Sequence, residues 1–185
     1  MRSLSSIITL LLFLYSTLSL CAQSGEFRSE NFMSEGPAVI CGLGQDSRGI
    51  MWLGTDKGLC CYDGYRLFER YKPESKENTR INTLLIINDI ILLGTDKGLL
   101  VYDIRAGSYV DTPTSYNING IRSMTAIGEN SVAIGGTDGL YVYNVSSNVA
   151  KHLATPIRNV YSLCGQSMES LLVGTLHGLF RLEKG

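Results

Sequence analysis

A repeat with a period of about 40 residues, present four times, constrains the fold of this chain more than any other feature of its sequence. The repeats are MWLGTDKGLCCYDG from Met51, ILLGTDKGLLVYDI from Ile91, VAIGGTDGLYVYNV from Val132 and LLVGTLHGLFRLEK from Leu171. Their second glycines recur at a nearly constant spacing, at Gly58, Gly98, Gly139 and Gly178. A period near 40 is typical of paired-helix repeats and of propeller blades.

The content of each repeat predicts strands rather than helices. Its apolar residues form short runs rich in Ile, Val, Leu and Tyr between Gly, Asp and Asn, whereas a helical repeat spaces them three and four apart. A second block upstream reads as a strand and a polar turn. The number of residues from the first apolar residue of this block to the first glycine of the motif is nearly constant and differs by one in a single repeat. The pairs are Ile40 and Gly54, Ile81 and Gly94, Ile121 and Gly135, and Val160 and Gly174.

Four antiparallel strands in about 40 residues make one blade of a β-propeller. The chain is therefore predicted to be all-β, with four-stranded blades at about residues 37–72, 79–112, 119–153 and 158–185. The second glycine of each motif permits a positive φ in a turn, Thr and Asp side chains bond turn amides, and Trp52 fills the space between blades. The predicted structural positions are Trp52, Gly54, Thr55, Gly58, Gly94, Thr95, Gly98, Thr137, Gly139, Gly174, Thr175 and Gly178.

The N-terminal segment, from Met1 to Ala22, has the composition of an export signal. Arg2 precedes an apolar run, and small residues follow it up to Ala22, which predicts cleavage near Ala22. Lipidation at Cys21 and an uncleaved anchor are alternatives, although Leu20 is bulkier than the residue that a lipoprotein signal requires. The remaining chain has 15 basic and 17 acidic residues, a balance that favours neither nucleic acid nor anionic lipid as a partner.

Four cysteines remain after the predicted cleavage, enough for two disulfides in an exported domain. Cys60 and Cys61 are adjacent, however, and would point to opposite faces of a strand. We therefore predict that these cysteines serve packing.

The first repeat, DSRGIMWLGTDKGLCCYDGYRLFERY from Asp46, resembles the repeat of two-component regulator propellers. The shared pattern is a turn Asp and Gly, then Trp-Leu-Gly-Thr, a loop, and Gly-Leu followed by Tyr-Asp. The resemblance extends over about residues 27–182 and weakens in the later repeats, where Trp is lost and Leu176 replaces the loop Asp. It implies the exported, periplasmic sensor region of a hybrid two-component protein, with a β-sandwich, a membrane span and a histidine kinase downstream.

The same resemblance implies seven blades in a ring, and it favours a chain that is the N-terminal part of a longer sensor. The alternative is a four-bladed ring closed by residues 26–32 (EFRSENF), which precede the first repeat as a spare edge strand. An isolated part of a ring would leave two blade faces and their strand edges uncovered, which favours self-association into a homodimer.

Catalytic chemistry has few candidates in this sequence. His152 and His177 are the two histidines, neither in a metal-ligand spacing such as HExxH, and GxSxG and CxxC are absent. No metal and no cofactor is therefore predicted, and the chain is expected not to be an enzyme. A propeller-fold lyase or hydrolase is the alternative, because streptogramin lyases resemble this fold and use a loop His. A protein-protein interaction scaffold is a third possibility.

Three acidic residues, Asp56, Asp96 and Asp138, recur on the same loop in successive blades. A ring of carboxylates could hold a cation. Asp is also a preferred turn residue because its carboxylate accepts local backbone N–H groups, and Lys57 and Lys97 offset the charge. We therefore predict a turn role for the three carboxylates.

The connections between blades repeat least and are predicted to carry the ligand-binding residues. They comprise residues 72–80, 111–119 and 154–159 and open on the same face as the Thr-Asp turns. An aromatic face with amide and guanidinium groups suits a sugar. The predicted ligand-binding residues are Arg80, Tyr116, Asn117, Arg158 and, in the fourth turn, His177. The predicted function is a non-catalytic module that senses a glycan or oligosaccharide and signals to a kinase.

Overall fold

The computed structural model of the chain describes residue 29 and residues 39–70, 79–111 and 118–182. All of these except residue 29 belong to one compact unit, Pro37–Gly185. The predicted export signal (1–22), the predicted closing strand (26–32, apart from residue 29), Tyr116 and Asn117 lie outside the described residues. No helix in the described part of the chain is long and apolar enough to span a membrane.

The described residues form four antiparallel sheets, each with its strands in chain order. The first three sheets have four strands and the fourth has three, so the predicted all-β fold with four-stranded blades is confirmed. Blade 1 comprises β1 (Ile40–Gln45), β2 (Met51–Thr55), β3 (Gly58–Tyr62) and β4 (Leu67–Arg70). Blade 2 comprises β5 (Ile81–Ile87), β6 (Ile90–Thr95), β7 (Gly98–Asp103) and β8 (Ser108–Val110).

Blade 3 comprises β9 (Ser123–Ala126), β10 (Ser131–Gly135), β11 (Leu140–Asn144) and β12 (Val149–His152). Blade 4 comprises β13 (Val160–Cys164), β14 (Leu172–Thr175) and β15 (Gly178–Arg181), with a short 3-10 helix, Met168–Ser170, between β13 and β14. The four sheets lie within the four predicted repeat ranges.

Three apolar cores lie between neighbouring blades. Each combines residues from one sheet face, here called the forward face, with the facing residues of the next blade. The forward faces contribute Trp52, Leu59 and Cys61 in blade 1, Leu92, Leu99 and Val101 in blade 2, and Ala133 and Leu140 in blade 3. The facing residues include Ile81 and Leu93, then Val132 and Ile134, then Leu171 and Val173. Because a sheet buries both faces in this way, each blade depends on its neighbours for its core.

Trp52 and the adjacent cysteines Cys60 and Cys61 are all buried in this packing. Trp52 lies in the core between blades 1 and 2, with its ring centroid 5.4 Å from that of Tyr102. Cys60 and Cys61 are both buried and are free thiols. Burial raises the pKa of the Cys60 thiol to about 11, so it stays protonated at neutral pH.

Hydrogen bonds join groups one repeat apart in neighbouring blades. Leu163 N–H donates to Ser123 Oγ (3.0 Å), and Thr125 Oγ1 donates to the Gly165 carbonyl (3.2 Å). At the outer edge, the Tyr109 hydroxyl donates to the Arg70 carbonyl (2.8 Å). These bonds keep the blades in one register relative to each other.

A threonine closes the turn between the second and third strands of three blades. Thr55 Oγ1 donates to the Gly58 carbonyl (2.7 Å) and accepts the Lys57 N–H (3.1 Å). Thr95 and Thr175 make the same pair of bonds in their own turns. The predicted positive φ is also present at the second motif glycine of each blade, namely Gly58, Gly98, Gly139 and Gly178.

The connections that lead into the blades lie on the same side as these turns. Gly120 N–H donates to the Asp96 carbonyl (3.1 Å), and Ile121 N–H donates to the Thr95 carbonyl (3.0 Å). Asn159 N–H likewise donates to the Thr137 carbonyl (3.0 Å). We call this side, formed by the turns and the inter-blade connections, the loop face.

Candidate functional site

The predicted ligand-binding residues that the structure describes all belong to the loop face. Arg80 is exposed directly before β5, Arg158 is exposed shortly before β13, and His177 is exposed in the turn between β14 and β15. Arg80 leads into blade 2, two blades away from Arg158. Of these three residues, Arg158 lies in the cluster of polar groups described next.

The turn of blade 3 departs from the pattern of the other three. Gly136 stands where the other turns have their threonine, and its N–H donates to the Gly139 carbonyl (2.9 Å). Thr137 instead donates its Oγ1 proton to the Asn119 carbonyl (3.0 Å). This offset of one residue places Asp138 at the position that Lys97 has in blade 2.

Asp138 carries a carboxylate oxygen with no partner among the described residues. Its Oδ2 accepts a hydrogen bond from the Tyr141 hydroxyl (2.9 Å). Its Oδ1 is buried and has no hydrogen-bond partner in the part of the chain that the structure describes, and the same is true of Thr155 Oγ1. Since buried polar atoms are normally hydrogen-bonded, these two atoms retain hydrogen-bonding capacity that the described residues do not use.

His152 and Arg158 approach the same turn from the far edge of blade 3 and from the following connection. A Cβ at Gly139 would lie 3.0 Å from His152 Nε2 and 3.4 Å from Arg158 Nη1. Gly139 has a φ of 142°. Because glycine has no side chain, it can adopt this backbone conformation in the turn and also leave room for His152 and Arg158. We call Asp138, Tyr141, His152, Thr155 and Arg158 the blade 3 cluster.

The sheet register orients the aromatic part of the blade 3 cluster. Tyr141 and His152 are directly paired across β11 and β12, and their ring centroids are 4.8 Å apart in an edge-to-face arrangement. Arg158 folds back over its own connection, where Nη1 donates to the carbonyls of Thr155 (2.7 Å) and Ile157 (2.8 Å). Because Arg158 is exposed, its other N–H groups can reach a ligand.

The charge state of Tyr141 follows from its surroundings. Burial and the hydrogen bond to the Asp138 carboxylate raise the pKa of Tyr141 to about 12, which the Arg158 guanidinium only partly offsets. Tyr141 is therefore a hydrogen-bond donor at neutral pH. Its bond to Oδ2 leaves Oδ1 as the carboxylate oxygen without a donor among the described residues.

The three loop carboxylates, Asp56, Asp96 and Asp138, each accept a hydrogen bond from a different group of the protein. Asp56 Oδ1 accepts the Val39 N–H (3.4 Å), and Asp96 Oδ1 accepts from Asn82 Nδ2 (2.8 Å). Asp138 bonds Tyr141, as described above. Within the described residues no group of three or more His, Cys, Asp or Glu side chains could hold a metal ion.

Sequence reasoning identified part of the blade 3 cluster. Arg158 was among the predicted ligand-binding residues, whereas Asp138 was predicted only as a turn residue. Tyr141, His152 and Thr155 were not predicted to bind a ligand. The sequence does contain an indication that Asp138 differs from Asp56 and Asp96. The third repeat has GGTDG where the first two have GTDKG, which moves the carboxylate by one position.

Comparison with known proteins gives matches among solved structures. No protein-family model and no curated protein matches the chain. The extracellular domain of BT4673 from B. thetaiotaomicron, described as a hybrid two component system and also as a one component system, is 34% identical. The TM-score is 0.68, and the match covers 77% of this chain and 20% of that chain.

Two more distant structures share the fold. The extracellular domain of the B. thetaiotaomicron hybrid two component system BT3049 is 16% identical, with a TM-score of 0.63 over 84% of this chain and 26% of that chain. The WD40 repeats of RRP9 are 15% identical, with a TM-score of 0.62 over 76% of this chain and 46% of that chain. The predicted resemblance to the propeller sensor region of hybrid two-component proteins is thus confirmed. The chain spans about a fifth to a quarter of the two extracellular domains.

Proposed function

We propose that the chain is a non-catalytic, ligand-sensing propeller module from the N-terminal part of a hybrid two-component sensor. The observation that carries this proposal is the 34% identity over 77% of the chain to an extracellular domain of such a system. The composition of the segment from Met1 to Ala22 supports export to the periplasm. A complete seven-bladed ring, a membrane anchor and a downstream kinase as signalling partner belong to the same proposal.

The ligand that we propose is a glycan or oligosaccharide, bound on the loop face at the blade 3 cluster. Asp138 Oδ1 would accept a sugar hydroxyl, Thr155 and His152 can each donate or accept, and Arg158 can donate. Sites of this kind combine an aromatic surface with a few placed polar groups, and Tyr141 and His152 supply aromatic rings here. The exposed His177 and Arg80 are proposed as outer contacts on the same face.

Binding is tested by thermal unfolding of the chain with a panel of neutral and uronic-acid-containing oligosaccharides. A ligand that binds only the folded state raises the melting temperature as its concentration increases. We expect at least one oligosaccharide to do so, and we expect Asp138→Asn or Arg158→Gln to weaken its binding about tenfold, which is about 1.4 kcal/mol. Lys57→Ala is the matched control, since Lys57 has the position of Asp138 in blade 1, and it should leave the shift unchanged.

Two negative results of the melting experiment would contradict different parts of the proposal. If no oligosaccharide shifts the melting temperature, the glycan proposal is wrong and a protein-protein scaffold is favoured. If the shift persists in both variants, the glycan binds elsewhere and the blade 3 cluster is not its site.

A propeller-fold lyase is the second candidate, favoured by the juxtaposition of Asp138, Tyr141 and His152. An imidazole beside a carboxylate and a phenol is an arrangement that could transfer protons. The oligosaccharides recovered after long incubation with the chain distinguish the two functions. Unchanged oligosaccharides are expected. Cleavage that disappears in His152→Ala but persists in His177→Ala would instead identify a lyase with His152 as its base.

Homodimer formation is proposed for this 185-residue chain on its own, without further blades to cover blade 4. Leu179 of blade 4 lies at the position of Leu59, Leu99 and Leu140, which the following blades bury. Since Leu179 is 71% exposed, this face offers an apolar surface to a second copy of the chain.

A further inference from the structure

A cleft of about 580 Å³ opens between blades 1 and 2, separate from the blade 3 cluster. It is lined in part by Arg48 from the β1–β2 turn, Asp63 from the β3–β4 turn and Gly107 from the β7–β8 turn. These turns lie at the opposite ends of the strands from the turns of the loop face, because consecutive strands are antiparallel. The cleft extends from these turns to Arg70 at the far end of β4. It shares no lining residue with the blade 3 cluster and is therefore separate from the glycan site proposed above, and its volume is in the range of small-molecule sites.

The inner part of the cleft is aromatic and apolar. Trp52, Cys61 and Tyr102 are buried at its floor. Phe68, which is paired with Cys61 across β3 and β4, keeps part of its ring exposed on the wall. Ile50 and Ile104 complete the apolar lining. A flat ring could therefore pack against this surface.

Arg70 places a cation at the rim of this apolar surface. Its guanidinium carbon lies 5.8 Å from the centroid of the Phe68 ring. Its backbone carbonyl accepts the Tyr109 hydroxyl of blade 2 (2.8 Å), which fixes the end of β4 at the cleft. The ion pairs among the described residues do not include Arg70.

Acidic side chains near the cleft, Asp46 and Asp63 among them, are used by their own turns. Asp46 accepts from the side chain and the N–H of Arg48, and Asp63 Oδ1 accepts the N–H groups of Tyr65 and Arg66 (both 2.8 Å). Arg48 is thereby paired with Asp46. Arg70 has no carboxylate partner among these ion pairs, and its side chain is oriented in the cleft by hydrogen bonding with Cys61 and Tyr102.

The position of Arg70 is occupied differently in blades 1 and 3. Arg70 pairs with Leu59, and the equivalent partner of Leu140 in blade 3 is Leu153, whose N–H donates to the Leu140 carbonyl (2.8 Å). Leu153 packs against the core between blades 3 and 4. Blade 1 thus has a guanidinium at a position where blade 3 uses an apolar side chain to fill the space between blades.

We propose that this cleft binds a small carboxylic acid that carries a ring. The carboxylate pairs with the Arg70 guanidinium, whose fork of N–H donors matches a carboxylate. The ring lies against Phe68 and the edge of Trp52. Both an aromatic ring and the apolar face of a pyranose fit this description, so the shared chemistry is one carboxylate beside one flat or apolar ring face.

Trp52 makes the test specific, because it is the only Trp of the chain and lines the cleft. Phenylacetate and galacturonate are titrated separately while Trp52 emission is measured, with phenylacetamide as the uncharged counterpart of phenylacetate. We expect a saturable change with at least one acid and none with phenylacetamide. A response to phenylacetate alone identifies an aromatic acid, and a response to galacturonate alone identifies a sugar acid.

Variants locate the binding. Arg70→Gln should weaken acid binding at least tenfold, whereas Arg66→Gln, an exposed arginine of the same hairpin that does not line the cleft, should leave it unchanged. Asp138→Asn should also leave it unchanged, which separates this proposal from the glycan site. A melting curve establishes that each variant is folded, and Phe68→Ala is the second variant should Arg70→Gln not fold. The proposal is overturned if neither acid changes Trp52 emission, if phenylacetamide acts like phenylacetate, or if Arg70→Gln binds as the wild type does.

Discussion

Individual buried polar side chains fix the packing between blades. Asp46 accepts hydrogen bonds from Trp52 Nε1 (3.1 Å), from Arg48 Nη2 (3.0 Å) and from the N–H groups of Arg48 (2.9 Å) and Ile50 (3.0 Å). Burial acts to raise the pKa of Asp46, but the bonds from Trp52, Arg48 and Ile50 together hold that pKa below its ordinary value of 3.8. The only Trp of the chain is therefore oriented by one carboxylate.

Asp46→Ala is expected to lower the free energy of unfolding at pH 7 by about 1–3 kcal/mol, because it leaves the buried Trp52 N–H without an acceptor. The pKa of Asp46 is lower in the folded state, so its contribution is complete above the ordinary carboxyl pKa of 3.8 and is lost as the pH falls through the folded-state value. The difference between wild type and variant should thus shrink below pH 3.8. Urea unfolding of wild type and Asp46→Ala at a series of pH values measures this difference in the free energy of unfolding.

The matched control for this prediction is Glu129→Ala, which removes an exposed carboxylate and should change stability by no more than about 0.5 kcal/mol. A difference between wild type and Asp46→Ala that stays constant down to the acid limit of folding would contradict the role assigned to the ionised carboxylate.

At the scale of the blade, one position of the motif shows how neighbours compensate for side-chain size. Trp52, Leu92, Ala133 and Leu172 occupy this position in blades 1 to 4. The first three are buried although they differ greatly in volume. Ala133 is covered by a core that includes Ile157 and Leu171. Burial at this position is thus decided by the next blade and not by the motif.

Leu92→Ala and Leu172→Ala form a matched pair, because they make the same change at the same repeat position. Leu92 is 0% exposed and Leu172 is 38% exposed. Leu92→Ala should lower the free energy of unfolding by about 2–5 kcal/mol, since it opens a cavity in a closed core. Leu172→Ala should cost about 1 kcal/mol or less. Chemical unfolding of both variants at low protein concentration makes the comparison, and equal costs would mean that the face of blade 4 is covered in solution.

For the whole molecule, the two end blades present the two halves of an inter-blade interface. Ile40 of blade 1 is 42% exposed, whereas its equivalents Ile81, Ile121 and Val160 are buried by the preceding blades. At the other end Leu179 is exposed, although its equivalents are buried. A second copy of the chain could therefore place its blade 1 on blade 4 of the first.

We expect the chain to self-associate through this face, and Leu179→Glu should shift it to the monomer because a carboxylate there would be buried without a partner. Sedimentation velocity over a range of protein concentrations measures the change. Tyr65→Glu is the control, since Tyr65 is exposed in the β3–β4 turn of blade 1 and should leave the association unchanged. A wild-type chain that stays monomeric at all concentrations would refute the proposed homodimer.

Much of the fold could be predicted from the sequence, because its determinants are local. The positive φ of Gly58 and its equivalents, the bonds of Thr55 and the burial of Trp52 all follow from residue types at fixed spacing. The candidate site was less predictable. Its partners are brought together by the pairing of Tyr141 with His152 and by the return of Arg158 over the turn of Gly139, and neither follows from spacing within one motif.

The sequence by itself determined that this chain consists of propeller blades, since strand alternation and turn glycines act within a single repeat. The tertiary structure alone decided which chemical groups meet. The unpartnered Asp138 Oδ1 and the aromatic cleft beside Arg70 both arise, within the described residues, where one blade or one connection lies against another. The physical reason is that hydrogen bonding in turns is local, whereas burial and the juxtaposition of side chains depend on the packing of whole sheets.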